Sequence, residues 1–173
     1  MKIALFMIDG WLEPPKAWNV LSDNLLSTGA ISVVYHADRK ERSIRKLMET
    51  KILQGYRIIG VGHSFGAAEL AKISQETPLF AAAFIDPVNE DPMWSRNWLN
   101  TGEIPHAHAY RRKYRDFPII RGGPPSVGVL GAANFLVDCG WGGHNRIISH
   151  ITSELVFWVK QICREEPQNG RAA

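Results

Sequence analysis

Gly62-His63-Ser64-Phe65-Gly66 is the stretch of this sequence whose residue types and spacing could do covalent chemistry. A serine oxygen is a weak nucleophile until it is held clear of the backbone and a base takes its proton. The G-x-S-x-G spacing meets the first demand, because a sharp, strained turn from strand into helix projects the hydroxyl above the sheet edge. Residues two before and two after the serine lie where strand and helix nearly touch. Anything larger than hydrogen would collide there, and both positions are Gly. An oxyanion forming beside Ser64 would meet the backbone N–H of Phe65 and the positive end of the helix dipole.

That chemistry needs a strand before Ser64, a helix after it and further elements to bring in a base. The hydrophobic pattern supplies them, alternating short apolar runs with helix-period stretches in the manner of a parallel sheet with crossover helices. Lys2 to Ile8 reads as a first strand stopping at Asp9-Gly10. A helix from Lys16 places Trp18, Leu21 and Leu25 on one face, with Gly29 as its C-terminal cap. Ile31 to Tyr35 is β-branched and aromatic, hence a second strand. Glu41 to Leu53 is helical through Ile44, Leu47, Met48 and Ile52, and Gly55 ends it. Arg57 to Val61 is a third strand running into the pentapeptide, Phe65 to Gln75 a small-residue helix, and Leu79 to Ile85 a fourth strand ending at Asp86-Pro87. Beyond it the pattern loosens. Val88 to Glu103 reads as a loop or short-helix insertion, Ala107 to Tyr114 holds a fifth strand, and Phe117 to Gly131 is a long Gly- and Pro-rich loop. Phe135 to Asp138 is the last strand, Gly140 to His144 a loop, and Ser149 to Arg164 a final helix with Ile151, Leu155, Trp158, Val159 and Ile162 on one face.

From its first strand to its last helix the chain resembles the α/β-hydrolase superfamily, in particular small cap-less serine esterases and lipases. The implied fold is a three-layer α/β/α sandwich with a mostly parallel sheet of about six strands, a minimal form lacking the family's first two antiparallel strands. The family's chain order is nucleophile, acid, histidine. By that match Ser64 is the nucleophile, and His144, in the loop between the last strand and the last helix, is the base. Asp9-Gly10-Trp11 is similar to the family's His-Gly-X oxyanion turn with Asp in place of His, which makes the Trp11 N–H a second oxyanion donor beside Phe65. The implied activity is hydrolysis of a small-molecule ester or acyl substrate through an acyl-enzyme, with no metal or organic cofactor.

Three residues compete for the acid. The family usually places it after the penultimate strand, where Asp116 lies in a charged stretch. Asp86 ends the strand after the nucleophile helix and is preferred, since some lipases carry the acid one strand earlier. Asp138 adjoins the His144 loop and is expected within its strand. Whichever serves must be partly buried, because its task is to fix the imidazole tautomer and stabilise its charged form.

Other residues have rival explanations. His63 is expected to support the turn, and His150 to pack or stand exposed on the last helix. His106 and His108 alternate on a strand and share one face, too few for a metal site without a third ligand. Trp94, Trp98 and Trp141 sit in loops expected at the carboxyl ends of the strands, where an apolar acyl or aromatic substrate would bind. Gly60, Gly62 and Gly66, with Asp86 at the end of the next strand, also mimic a dinucleotide-binding fingerprint. That fingerprint normally opens its domain, whereas two strand–helix units precede this one. A hydrolase-like fold retained only for binding is the remaining alternative.

Composition bounds these readings. The 173 residues are 45% hydrophobic and 21% charged, too apolar for a disordered chain and enough for one packed domain over 1–165, followed by a polar tail at 166–173. No apolar run approaches the roughly 20 residues of a membrane span. Twenty Lys and Arg against 17 Asp and Glu give a net charge of +3. The basic residues gather at Arg39 to Lys46 and Arg111 to Arg115, and without a nucleic-acid motif they read as solvated faces. Two cysteines, Cys139 and Cys163, are too few for a secreted framework, so reduced thiols and a cytoplasmic location are expected.

Overall fold

The computed structural model describes residues 1–10, 16–38, 43–88, 98–113, 126–140 and 143–165. Six strands form one sheet, all parallel, in the order β2-β1-β3-β4-β6-β8: β1 Lys2–Asp9, β2 Val33–Asp38, β3 Tyr56–His63, β4 Ala81–Ile85, β6 His106–Arg112 and β8 Ala133–Val137. A separate parallel pair joins β5 Trp98–Leu99 to β7 Gly128–Val129. The helices are α1 Lys16–Leu26, α2 Ile44–Leu53, α3 Phe65–Ser74 and α4 Gly143–Glu165.

The central strands are apolar along their whole length because both sheet faces are covered, as parallel sheets require. Side-chain alternation sorts β1 cleanly. Leu5 and Met7 join Trp18, Leu21 and Leu25 of α1 and Ile147, Ile151 and Leu155 of α4 on one face. Ala4, Phe6 and Ile8 join Ile44 and Met48 of α2 and Ala67, Leu70 and Ala71 of α3 on the other. Trp18, Phe6 and Met48 are wholly buried, and burial of each such side chain contributes about 1.5–3 kcal/mol.

Strand order fixes the position of the site. The chain passes from β1 outward to β2, then crosses back over β1 to β3 and continues away from it. The carboxyl ends of β1 and β3 therefore flank the point where the winding reverses, the place where open parallel sheets leave a crevice.

Some boundaries differ from the expected ones. β2 starts at Val33, not Ile31, and runs on to Asp38. The sheet is parallel throughout its six strands, and Asp138 falls beyond the end of β8. The largest difference is α4, which begins at Gly143, six residues before Ser149, so that His144 stands in a first helical turn. Glycine is a poor helix former, but Ile147 and Ile148 are buried under that turn, and a Cβ on Gly143 would run into the Cys139 sulfur. Packing therefore selects both the helix and the glycine. Among the described residues no helix is long and apolar enough to cross a membrane. The expected start of α2 at Glu41 and the tail at 166–173 lie outside the described residues.

Candidate active site

β3 ends at His63 and α3 begins at Phe65, leaving Ser64 alone as the joint. Its backbone sits at φ 58°, ψ −125°, a conformation that costs a non-glycine residue about 1–3 kcal/mol. Surrounding bonds hold it there. Ser64 N–H donates to the Ile85 carbonyl at 3.0 Å, and the Ser64 carbonyl accepts from Ala67 N at 3.2 Å and Val88 N at 3.3 Å. The glycines make room for the turn: a Cβ on Gly62 would lie 2.6 Å from the Ala67 Cα, and one on Gly66 would lie 2.7 Å from the Ile8 carbonyl carbon. Gly10 is placed by the same crowding, since a Cβ there would stand 2.7 Å from the Phe65 nitrogen.

Three residues far apart in the chain meet at this joint. His144 Nε2 lies 3.0 Å from Ser64 Oγ. Its Nδ1 contacts Asp86 Oδ2. With Asp86 ionised, Nδ1 carries the proton, and Nε2 offers its lone pair to the serine hydroxyl, the tautomer a general base needs. Asp86 follows β4 at φ 43°, and its N–H donates to the Tyr110 carbonyl at 2.7 Å. Its carboxyl is wholly buried, which alone would push its pKa up. The hydrogen bond and charge of His144 and the charge of Arg112 outweigh burial and hold it below the ordinary carboxylate value. Arg112, at the end of β6, brings Nε to 2.6 Å from the same Oδ2. Ser64 itself is buried.

A second pair lies beneath the first. His63 is buried against Trp18 and against the His144 ring, their centroids 4.8 Å apart. Its Nε2 meets the His144 carbonyl oxygen at 3.1 Å, and its Nδ1 meets Asp9 Oδ1 at 3.2 Å. Asp9 Oδ1 also accepts the Gly10 N–H at 2.6 Å. The ends of β1, β3 and α4 are thus tied through one imidazole.

The remaining candidates fall elsewhere. Asp138 is exposed and faces Lys113 Nζ at 3.7 Å. Trp98 packs on Gly128 and under the Arg111 guanidinium, 5.8 Å from its ring centroid. His106 packs edge-on against Phe80, while His108 stacks on Trp158 and bonds the Tyr110 hydroxyl. His150 is exposed, and its Nδ1–H donates to the Arg146 carbonyl. Trp11, Trp94, Trp141 and Asp116 lie outside the described residues. The glycines of the dinucleotide series press on the chain itself, Gly60 against Leu70, and Asp86 is buried against His144 and Arg112.

Sequence reasoning missed Arg112 and the partnership of Asp9 with His63. The first was read as part of a solvated basic cluster. Members of both clusters are in fact ion-paired: Arg45 with Glu49 and Glu76, Arg112 with Asp86 and Lys113 with Asp138. The Asp-for-His departure in the Asp9-Gly10-Trp11 turn was the available signal for the second.

These features belong to a chain with the α/β-hydrolase fold. It is similar to a protein of the alpha/beta hydrolase superfamily from Xanthomonas campestris pv. campestris, with a TM-score of 0.60 and 15% identity over 90% of this chain and 98% of that one. It is also similar to the esterase domain of a Rhodothermus marinus protein, with a TM-score of 0.59 and 13% identity over 92% of this chain and 86% of that one. No family profile matches the sequence, and no curated protein does. At such identities the likeness is one of fold.

Proposed function

We propose that the chain is a serine hydrolase that cleaves carboxylic esters or thioesters through an acyl-enzyme. The observation that carries this reading is the 3.0 Å approach of His144 Nε2 to Ser64 Oγ, with Asp86 on the other ring nitrogen. His144 Nε2 takes the Ser64 proton as Oγ attacks the acyl carbon. The tetrahedral oxyanion faces the Phe65 N–H at the start of α3, and the Trp11 N–H is assigned as second donor from the turn it follows. Each such donor is worth about 3 kcal/mol. The imidazolium, stabilised by the Asp86 carboxylate, passes its proton to the leaving alcohol or thiol. Water then enters, gives a proton to Nε2 and attacks the acyl carbon, and Ser64 recovers its hydrogen as the acid leaves. Trp94 and Trp141 remain proposed substrate contacts, and Cys139 and Cys163, neither bridged by a disulfide, fit a reducing, cytoplasmic setting.

A p-nitrophenyl ester series and a matching thioester test the reading. An initial burst of p-nitrophenol followed by slower turnover, reduced at least about 10³-fold in Ser64→Ala, is expected. Equal rates for wild type and Ser64→Ala would sink it and favour a fold kept for binding.

A further inference from the structure

We propose that Arg112 is a positioning residue that acts on His144 through Asp86, fixing the carboxylate and setting the lower end of the pH range in which Ser64 can be activated. The inference rests on the hydrolase reading for its consequence but on geometry for its cause. Arg112 Nε and His144 Nδ1 converge on one oxygen, Asp86 Oδ2. The Arg112 side chain is 3% exposed and that of Asp86 0%, so little water screens the pair. Asp86 Oδ1 is buried with no hydrogen-bond partner among the described residues, and Arg112 Nε, 2.6 Å from Oδ2, meets it as an ion pair without hydrogen-bond alignment, so charge attraction at Oδ2 holds the carboxylate on that side.

The electrostatic consequence has a definite sign. A proton arriving on His144 is attracted by the ionised Asp86 and repelled by the like charge of Arg112, both little screened at this burial. Without Arg112 the same proton would cancel the carboxylate and be held more firmly. Arg112 therefore favours the free imidazole, and it also opposes protonation of Asp86. Both effects keep the site active to lower pH. Among the described residues, His63 of β3 faces the His144 ring with Asp9 of β1 behind it, and the buried Cys139 thiol lies with the Arg112 side chain around Gly143.

The test compares wild type, Arg112→Met, Arg112→Lys, Asp86→Asn and the double variant Arg112→Met/Asp86→Asn, with Arg112→Gln replacing Met where the latter does not fold. Two quantities are followed against pH: the His144 ring resonances by NMR, and kcat/KM for an ester. In Arg112→Met the ring midpoint should rise by about one pH unit, with kcat/KM on the acid limb about tenfold lower. Arg112→Lys should restore most of the shift. In the Asp86→Asn background the like charge of Arg112 still acts on the ring, but the pH-independent plateau of kcat/KM should no longer depend on Arg112, because no carboxylate is left to position. An unmoved midpoint in folded Arg112→Met, or an equal loss of plateau kcat/KM with and without Asp86, would overturn the proposal. A chain that turned over no ester would defeat the hydrolase reading, while the ring titration would still decide the role of Arg112.

Discussion

His63 Nε2 stands 3.1 Å from the carbonyl oxygen of His144, so the side chain next to the proposed nucleophile grips the backbone of the proposed base. Because His63 also meets Asp9 at 3.2 Å, the carboxyl end of β1 bears on the placement of His144 without touching its ring. Removing His63 as His63→Ala leaves Asp9 buried without this partner and takes away the contact that ties the His144 backbone to β3. It should cost about 3 kcal/mol in urea unfolding. Ester turnover in the folded remainder should drop about tenfold or more, because the base loses its register. Asp9→Asn, which keeps the shape, should cost less, about 1–2 kcal/mol. Unchanged stability in both variants would contradict this tie.

The strain at Ser64 predicts opposite fates for two inactive variants. Ser64→Ala keeps a Cβ at φ 58°, whereas Ser64→Gly adopts that conformation freely. The glycine variant also gains unfolded-state entropy, which offsets part of the relief. Ser64→Gly should nevertheless be more stable than Ser64→Ala by about 1 kcal/mol in paired denaturant curves. A less stable glycine variant would mean that the turn stores no strain.

Gly66 offers the sharpest steric test. Its missing side chain lets α3 approach the Ile8 carbonyl, backbone against backbone, so neither partner can swing aside. Gly66→Ala should destabilise by about 3 kcal/mol, at the upper end of ordinary overpacking, and displace the Phe65 N–H. Thermal unfolding checks this, and a variant within 0.5 kcal/mol of wild type, about the range of a surface change, would contradict the geometry.

Much of this arrangement was legible in the residues, and for physical reasons. β1, β3 and β4 are buried on both faces and so appear as unbroken apolar runs. The elbow was legible because Gly62 and Gly66 occupy positions that sterics leave to glycine. Asp86 stood out at the abrupt end of an apolar strand. The start of α4 did not, because Gly140, Gly142 and Gly143 carry no helical signal and only the packing of Ile147 and Ile148 turns the last of them into a helix. Arg112 could not be read either. A basic residue in His106–Arg112 has the same local signature on a solvated edge as against a buried carboxylate, and its partner lies across a strand pairing.

Asp86 also predicts how folding responds to acid. Burial raises its pKa, but His144 and Arg112 prevail and hold it below the ordinary 3.8. A carboxyl depressed on folding takes up its proton first in the unfolded chain. Its stabilisation is therefore fully present above the ordinary value and lost as pH falls through the folded one. Asp86→Asn should accordingly flatten the dependence of unfolding free energy on pH below about 4. Equal slopes in wild type and variant would show that Asp86 is not held ionised by its neighbours.

The most direct measurement is reaction of the folded chain with a fluorophosphonate, followed by peptide mass spectrometry. Formation of the phosphonyl ester requires Ser64 Oγ to attack phosphorus as His144 takes its proton and fluoride departs. The account predicts a single adduct on the peptide containing Ser64, absent in Ser64→Ala and formed at least about 10³-fold more slowly in His144→Gln. A folded wild-type chain that stays unmodified, or that is modified at another residue, would contradict it.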